Sequence, residues 1–504
     1  MHLKFRFYCL GRLNLSHTQP NILFFMADQM QGGVCDPGHP CLTPNIDQLI
    51  ARGIRFERAY TPNPVCSPAR ASLMTGLLPH NHGVLTVTHT VDEDQSLLRT
   101  QHPHWAQRLS NAGYCTGYFG KWHVEEHHPL RDFGWDTNAV FGHGKLTSER
   151  MQQKVLELQG EHPPQENYSL SMRLDDSTGY SGNVFYGVTD LAPGQRTMGI
   201  ITDLAMDFLG EVLDDDGPWC CFTSVPEPHD PFIAGQAAFD LYDVDGIPLH
   251  ENIHDTLEGR PGIYRKAAQV WAHMTDRQRR EAAACYYASV TEIDVQFGKL
   301  IDRIAEAGQL DDTIVVLTSD HGEALGAHGL YCKNFSAFEE IYNIPMITAG
   351  PGIARDTETS ARVGLHDLCP TLLELAGCEP FDHEDSRSFA PVVRDPSSHE
   401  DDFTTGFAEY FGGRMLLTQR VVWDGHWKFV FNGFDFDELY NLEDDPGEMV
   451  NLAGKPECGE ILRDMTARMW RTVKATGDSS LYNSSYPPLR VAPFGPGILD
   501  DSDE

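Results

Sequence analysis

The sequence predicts an α/β protein in which a large, mostly parallel central sheet is flanked by helices, followed by a smaller C-terminal α+β subdomain. Three observations carry that expectation. Four short runs rich in branched and aromatic residues, 21–26, 114–119, 219–225 and 313–317, have the near-continuous apolar character of buried parallel strands. Segments with helical spacing separate them, and strands alternating with helices build a sheet covered on both faces. After Arg394 the texture changes to the acidic, Ser-rich residues 395–402, which read as a linker to a separate unit.

Residues 1–19 read as a leader that mixes Lys4 and Arg6 into apolar residues. It has no clean h-region or cleavage site, so a cytoplasmic location is expected. The first strand run ends at Asp28-Gln29. Thr43-Pro44 then supplies an N-cap and a proline at the first helical position, and Gly53 closes that helix. Cys66-Ser67-Pro68-Ala69-Arg70 opens another. Pro68 suits a first turn, which puts Cys66 near the N-cap, where free N–H groups and the helix dipole favour a nucleophilic or anionic group. Arg70, four residues on, lies one turn deeper on the same face, able to hold an oxyanion or the nucleophile. The second strand run leads to Lys121 and His123, the third to Glu227 and His229, the fourth to Asp320-His321. Apolar positions recur at helical spacing over 197–213, 277–307 and 366–376. Beyond the linker, 415–422 and 427–431 read as strands and 457–475 as a helix. The chain therefore divides into a main domain, 20–395, the α+β subdomain, 396–490, and an acidic tail, 491–504, whose end is expected to be disordered.

With 504 residues, 41% of them hydrophobic and 22% charged, the chain can bury a sizeable core. No apolar run approaches the roughly 18 residues that cross a bilayer, so no membrane span is expected. A formal charge of −35, from 73 acidic residues against 38 Lys plus Arg, argues against nucleic acid or anionic lipid as a partner. The twelve cysteines are scattered without a C-x-x-C pair, unlike a zinc site or a disulfide framework.

Ligands of open α/β sheets bind outside the carboxyl ends of the strands. One polar residue at such an end is ordinarily a turn, but four such ends in one chain point to a single convergent site. Asp28 and Asp320, with Gln29 and His321, form a donor set for a divalent cation. A histidine such as His123 or His229 has its pKa near operating pH and suits proton transfer. His80 and His82, after the Cys66 helix, are expected to line the substrate pocket.

The Cys66–Arg70 segment, followed by Ala71-Ser72-Leu73-Met74-Thr75-Gly76, resembles the type I sulfatase signature C-x-P-x-R of the alkaline phosphatase superfamily. Three further segments resemble the same family in the same order. They are Gly113-Tyr114-Cys115-Thr116 leading to Gly120-Lys121-Trp122-His123; Asp320-His321-Gly322-Glu323 with His328-Gly329-Leu330 and Lys333; and Glu438-Leu439-Tyr440-Asn441-Leu442 with Asp445-Pro446 and Asn451-Leu452. The resemblance implies an alkaline-phosphatase-like sandwich and a formylglycine made from Cys66 by a formylglycine-generating maturation enzyme. It implies a metal held by Asp28, Gln29, Cys66, Asp320 and His321. Calcium is the family default, with manganese or magnesium as alternatives, because only two of these ligands are carboxylates and an imidazole is softer than a carbonyl oxygen. By resemblance, Arg70 orients the nucleophile, Lys121 and Lys333 bind sulfate oxygens, His123 removes the proton that lets sulfate leave, and His229 serves the leaving oxygen.

The implied reaction is hydrolysis of a sulfate ester to an alcohol and inorganic sulfate. The substrate is expected to be small and sulfated, a sugar by first choice, since the long insertions 125–196 and 232–275 are the expected place of the substrate subsites. Trp135, Arg150, Arg173, Tyr180 and Tyr186 fall in the first of them. The Asp-Gln and Asp-His pairs resemble the branch holding choline sulfatases and phosphonate monoester hydrolases. A phosphonate monoester or phosphodiester hydrolase with the same nucleophile is therefore the alternative, although Gly-Lys-Trp-His resembles sulfatases more. From another class, a non-catalytic sulfated-glycan-binding protein has no support in the sequence, because every expected catalytic residue is present.

Overall fold

A strand that is apolar at every position must be covered on both faces, and the four apolar runs are used in that way. In the computed structural model, which describes residues 19–92, 94–141, 148–160, 165–174, 182–333, 335–413, 415–482 and 490–503, they become four adjacent strands of one eight-stranded sheet. In chain order the strands are β1 (Asn21–Asp28), β2 (Gly53–Tyr60), β3 (Cys115–Lys121), β4 (Thr137–Phe141), β5 (Tyr168–Arg173), β6 (Val184–Thr189), β7 (Trp219–Pro228) and β8 (Phe232–Gly235). They continue with β9 (Thr313–Ser319), β10 (Met346–Ala349), β11 (Thr357–Gly364), β12 (Thr405–Tyr410), β13 (Gln419–Asp424), β14 (Trp427–Asn432) and β15 (Glu438–Asn441).

The large sheet has the order β11-β2-β10-β9-β1-β7-β3-β4, and only β10 runs against its neighbours. Alternation along β1 feeds two cores. Leu23 and Phe25 pack with the helices Thr197–Val212 and Asp276–Glu306, whereas Ile22, Phe24 and Met26 pack with Cys66–Thr75, Trp105–Asn111 and Leu368–Leu375. The expected mostly parallel sheet covered on both faces is thus observed. Strands β2, β10 and β11 escaped the sequence reading because they are short or interrupted by charge, as in Arg55, Glu57 and Arg58 of β2.

The second unit is the antiparallel sheet β12-β13-β14-β15 with the helix Gly459–Ala475 packed on it. Three local expectations differ. Residues 395–402 are not an open linker but two short helical turns, Pro396–His399 and Glu400–Asp402, because Asp395-Pro396 is itself a helix start. The run 415–422 becomes a strand only at Gln419, leaving Met415 and Leu416 exposed. The acidic tail contains a 3-10 helix, Pro496–Asp503, whose Ile498 is buried against the subdomain's core, so apolar residues in the tail find cover.

The insertions are also more ordered than loops, since β5, β6 and β8 form a small sheet of their own. Residues 1–18 and Tyr180 lie outside the described residues. No helix among the described residues is long and apolar enough to cross a membrane.

Candidate active site

Strands β9, β1, β7 and β3 lie side by side and parallel, so their carboxyl ends open on one rim. β1 ends on Asp28, β3 on Lys121, β7 immediately before His229, and β9 immediately before Asp320. Gly120 makes the delivery of Lys121 possible. Its φ is +108°, and a Cβ there would lie 2.0 Å from the carbonyl oxygen of Ser224 on β7. Gln29 and His123, the residues that leave the rim, sit at φ +65° and +54°. Non-glycine residues in this region cost on the order of 1–3 kcal/mol and persist where the surroundings over-determine them.

Cys66 is the first residue of the fully buried helix Cys66–Thr75 and points into the rim. Its Sγ lies 2.9 Å from Lys333 Nζ, 3.3 Å from His321 Nε2 and 3.7 Å from Asp28 Oδ1. Burial pushes the thiol up, but Lys121, Lys333 and His321 outweigh it and hold the thiol well below its usual range. Asp28 follows the same logic. Burial and Cys66 raise it, yet Lys121, His229 and Arg70 hold it far below the ordinary carboxylate range.

Arg70 fastens the two carboxylates. Its Nε donates to Asp320 Oδ2 at 2.8 Å and its Nη2 to Asp28 Oδ2 at 2.9 Å. Its Nη1 donates to the Lys121 carbonyl and to Ser224 Oγ, both at 2.8 Å. With the guanidinium wholly buried and so committed, Arg70 organises acidic groups rather than waiting for an oxyanion.

The donor atoms of Asp28, Cys66, Asp320 and His321 all lie within 4.8 Å of one another. His321 donates from Nδ1 to the carbonyl of Gly322 at 2.9 Å, which turns Nε2 toward the cluster. Gln29 gives its Nε2 to Asp230 Oδ1 and Glu323 Oε2 at 3.0 and 2.6 Å, which turns its Oε1 inward to 3.5 Å from Lys333 Nζ. Two carboxylates, an amide oxygen and an imidazole nitrogen, with an ammonium standing among them, fit a divalent cation.

The two histidines flanking Cys66 differ. His123 has a buried Nδ1 and pairs through Nε2 with His89 Nδ1 at 2.9 Å; burial and Lys121 press it down to about 3. His229 donates from Nδ1 to the carbonyl of Asp230 at 2.7 Å, so it exchanges protons through Nε2, which lies 2.7 Å from Lys333 Nζ. Burial and Lys333 lower it, but Asp230, Asp28 and Cys66 leave it above its ordinary value.

The structure therefore brings together Asp28, Gln29, Cys66, Arg70, Lys121, His123, His229, Asp320, His321 and Lys333. It does not bring His80 or His82 among them. The His80 ring is held between Glu409 Oε1 at 2.7 Å and the Thr476 carbonyl at 3.1 Å, at the junction with the second unit. His82 is fully buried against Ser72 Oγ at 2.9 Å. Both histidines lie near Cys66 in sequence, but their rings bond to Ser72, Glu409 and Thr476 rather than to the rim groups. Sequence reasoning missed Ser224, Asp230, His89 and the part played by Glu323. For Asp230 and Glu323 the signal was their place in Pro228-His229-Asp230-Pro231 and Asp320-His321-Gly322-Glu323.

The sulfatase family model matches residues 20–378, and the model of the C-terminal part of N-sulphoglucosamine sulphohydrolase matches 326–475. Choline-sulfatase of Rhizobium meliloti is 30% identical over 475 residues, which span 90% of this chain and 87% of that one. The uncharacterized sulfatase YidJ of Escherichia coli is 30% identical over 446 residues, spanning 86% of this chain and 83% of its own. Among solved structures, a phosphonate monoester hydrolase from Silicibacter pomeroyi shares the fold with a TM-score of 0.76 at 21% identity, covering 92% of this chain and 97% of that one. A structure in complex with its substrate D-glucosamine-2-N,6-O-disulfate shares it at 0.70 and 23% identity, covering 92% and 99%. The chain is thus a sulfuric ester hydrolase and belongs to the sulfatase family of the alkaline phosphatase superfamily.

Proposed function

We propose that this enzyme releases inorganic sulfate from a sulfate ester of a carbohydrate, using a formylglycine made from Cys66 by a maturation enzyme and a divalent cation, calcium first, held by Asp28, Gln29, Cys66, Asp320 and His321. The observation that carries the reading is the seating of Cys66 Sγ, at a helix start, among Lys333 Nζ, His321 Nε2 and Asp28 Oδ1. When present, the formylglycine supplies a hydroxyl nucleophile and the cation draws charge from the sulfate oxygens. Lys121 and Lys333 bind the sulfate oxygens. Arg70 keeps both carboxylates aimed. His229 gives a proton through Nε2 to the leaving oxygen, and His123, held neutral by burial, takes one at its buried Nδ1.

The Gln29 and His321 pair supports a second reading, a phosphonate monoester hydrolase on the same nucleophile. One preparation, made in a host with the maturase, is offered sulfated mono- and oligosaccharides, choline sulfate and a phosphonate monoester. Sulfate release from a sugar with the highest kcat/KM is expected; dominant turnover of the phosphonate would overturn the first reading. Cys66→Ala should abolish hydrolysis, with the circular dichroism spectrum unchanged, and retained activity would contradict the assigned nucleophile.

A further inference from the structure

We propose that Glu323 is a positioning residue of the cation site, fixing the Gln29 amide with its oxygen inward and, in the same grip, seating the segment that carries Lys333. The proposal rests on the reading of Gln29 as a cation ligand.

An amide has two faces, and a flip exchanges acceptor for donor. Only the oxygen face can ligate a cation, so orientation decides whether Gln29 attracts or repels one. Gln29 Nε2 lies 2.6 Å from Glu323 Oε2 and 3.0 Å from Asp230 Oδ1. With the two facing carboxyl oxygens accepting, both amide N–H bonds are spent here, and a flipped amide would set its oxygen against two others. Glu323 is the firmer holder, being fully buried, while the Asp230 side chain is 35% exposed.

The other oxygen of Glu323 accepts from the backbone N–H of Leu325 at 2.9 Å and of Cys332 at 2.6 Å. Leu325 and Cys332 both have positive φ, +44° and +61°, so these bonds pin two strained points of the segment leading to Lys333. The same arrangement accounts for an amide at position 29: a carboxylate there would meet two more within hydrogen-bond distance.

A glutamine at position 323 cannot serve both sides. If its oxygen accepts from Leu325 and Cys332, its amide group faces Gln29 and turns that residue's oxygen outward. If its oxygen accepts from Gln29, its amide group meets two backbone N–H donors. Exchanging the two side chains, as Q29E with E323Q, restores a donor at 323 facing an acceptor at 29.

The test uses the metal-free full-length protein titrated calorimetrically with Mn2+ and with Ca2+, alongside its melting temperature. Wild type should bind; E323Q should bind about 10- to 100-fold more weakly, the range for such supporting groups; and the double exchange should recover part of the loss, because a carboxylate at 29 still faces Asp230. Should E323Q not fold, the double exchange is compared with Q29E alone and must melt higher without metal, the signature of coupled neighbours. Binding by E323Q within twofold of wild type, or a double variant that only adds the single defects, overturns the proposal. No binding of either ion by wild type overturns the cation reading and this proposal with it.

Discussion

His123 and His229 carry the same side chain into opposite environments. Burial and Lys121 keep His123 neutral, held down at about 3, while Asp230 and Asp28 hold His229 above its ordinary value. In the proposed mechanism, two like groups pushed apart in this way serve as base and acid at one pH. Replacing His229 by Ala should therefore slow hydrolysis of an alkyl or sugar sulfate by roughly 100- to 10,000-fold, the usual worth of a general acid. A nitrophenyl sulfate, whose leaving group needs no proton, should lose much less, and equal losses for both substrates would remove His229 from that role. These histidines were legible in the sequence because each closely follows a recognisable strand. Their partners were less so. Asp230 and Glu323 lie 201 and 294 residues from Gln29, and no local pattern announces that two carboxylates will hold one amide.

Elements carry a different lesson. The Cys66 helix is legible from Pro68 and the strand ends from their apolar runs, because both are local signals. The turn Pro79–His82 is local too, yet its function follows from what docks on it. His80 is clamped by Glu409 of β12 and by the carbonyl of Thr476 at the end of the subdomain's helix. Burial lowers its pKa, but the Glu409 carboxylate outweighs that and pushes it up to about 9 from an ordinary 6.5. The folded value lies above the unfolded one, so the contribution to stability is fully present below about pH 6.5 and is lost as pH rises toward 9. Its ceiling is on the order of 3 kcal/mol, at about 1.4 kcal/mol per pKa unit. Melting temperatures taken across that window should fall with rising pH in wild type and fall less in His80→Ala. An equal slope in both would show that the clamp is not the titrating element.

For the whole molecule, a charge of −35 repels an anionic substrate at long range, so capture is left to the pocket. With Arg70 committed to Asp28 and Asp320, the proposed mechanism leaves Lys121, Lys333 and a divalent cation to meet the sulfate. Salt at physiological strength screens beyond about 8 Å, which weakens the distant repulsion more than the local attraction. kcat/KM should accordingly hold or rise as salt is added; a steep fall would show that long-range attraction governs encounter. By itself the sequence determined the α/β class, the four central strands, the Cys66 helix and the residue types at the strand ends, since each is written in nearby spacing and composition. Only the tertiary structure decided which histidines join the site, that Arg70 serves the carboxylates, and which way the Gln29 amide faces. Those outcomes depend on partners hundreds of residues away, brought within hydrogen-bond distance only when the parallel strands align their carboxyl ends.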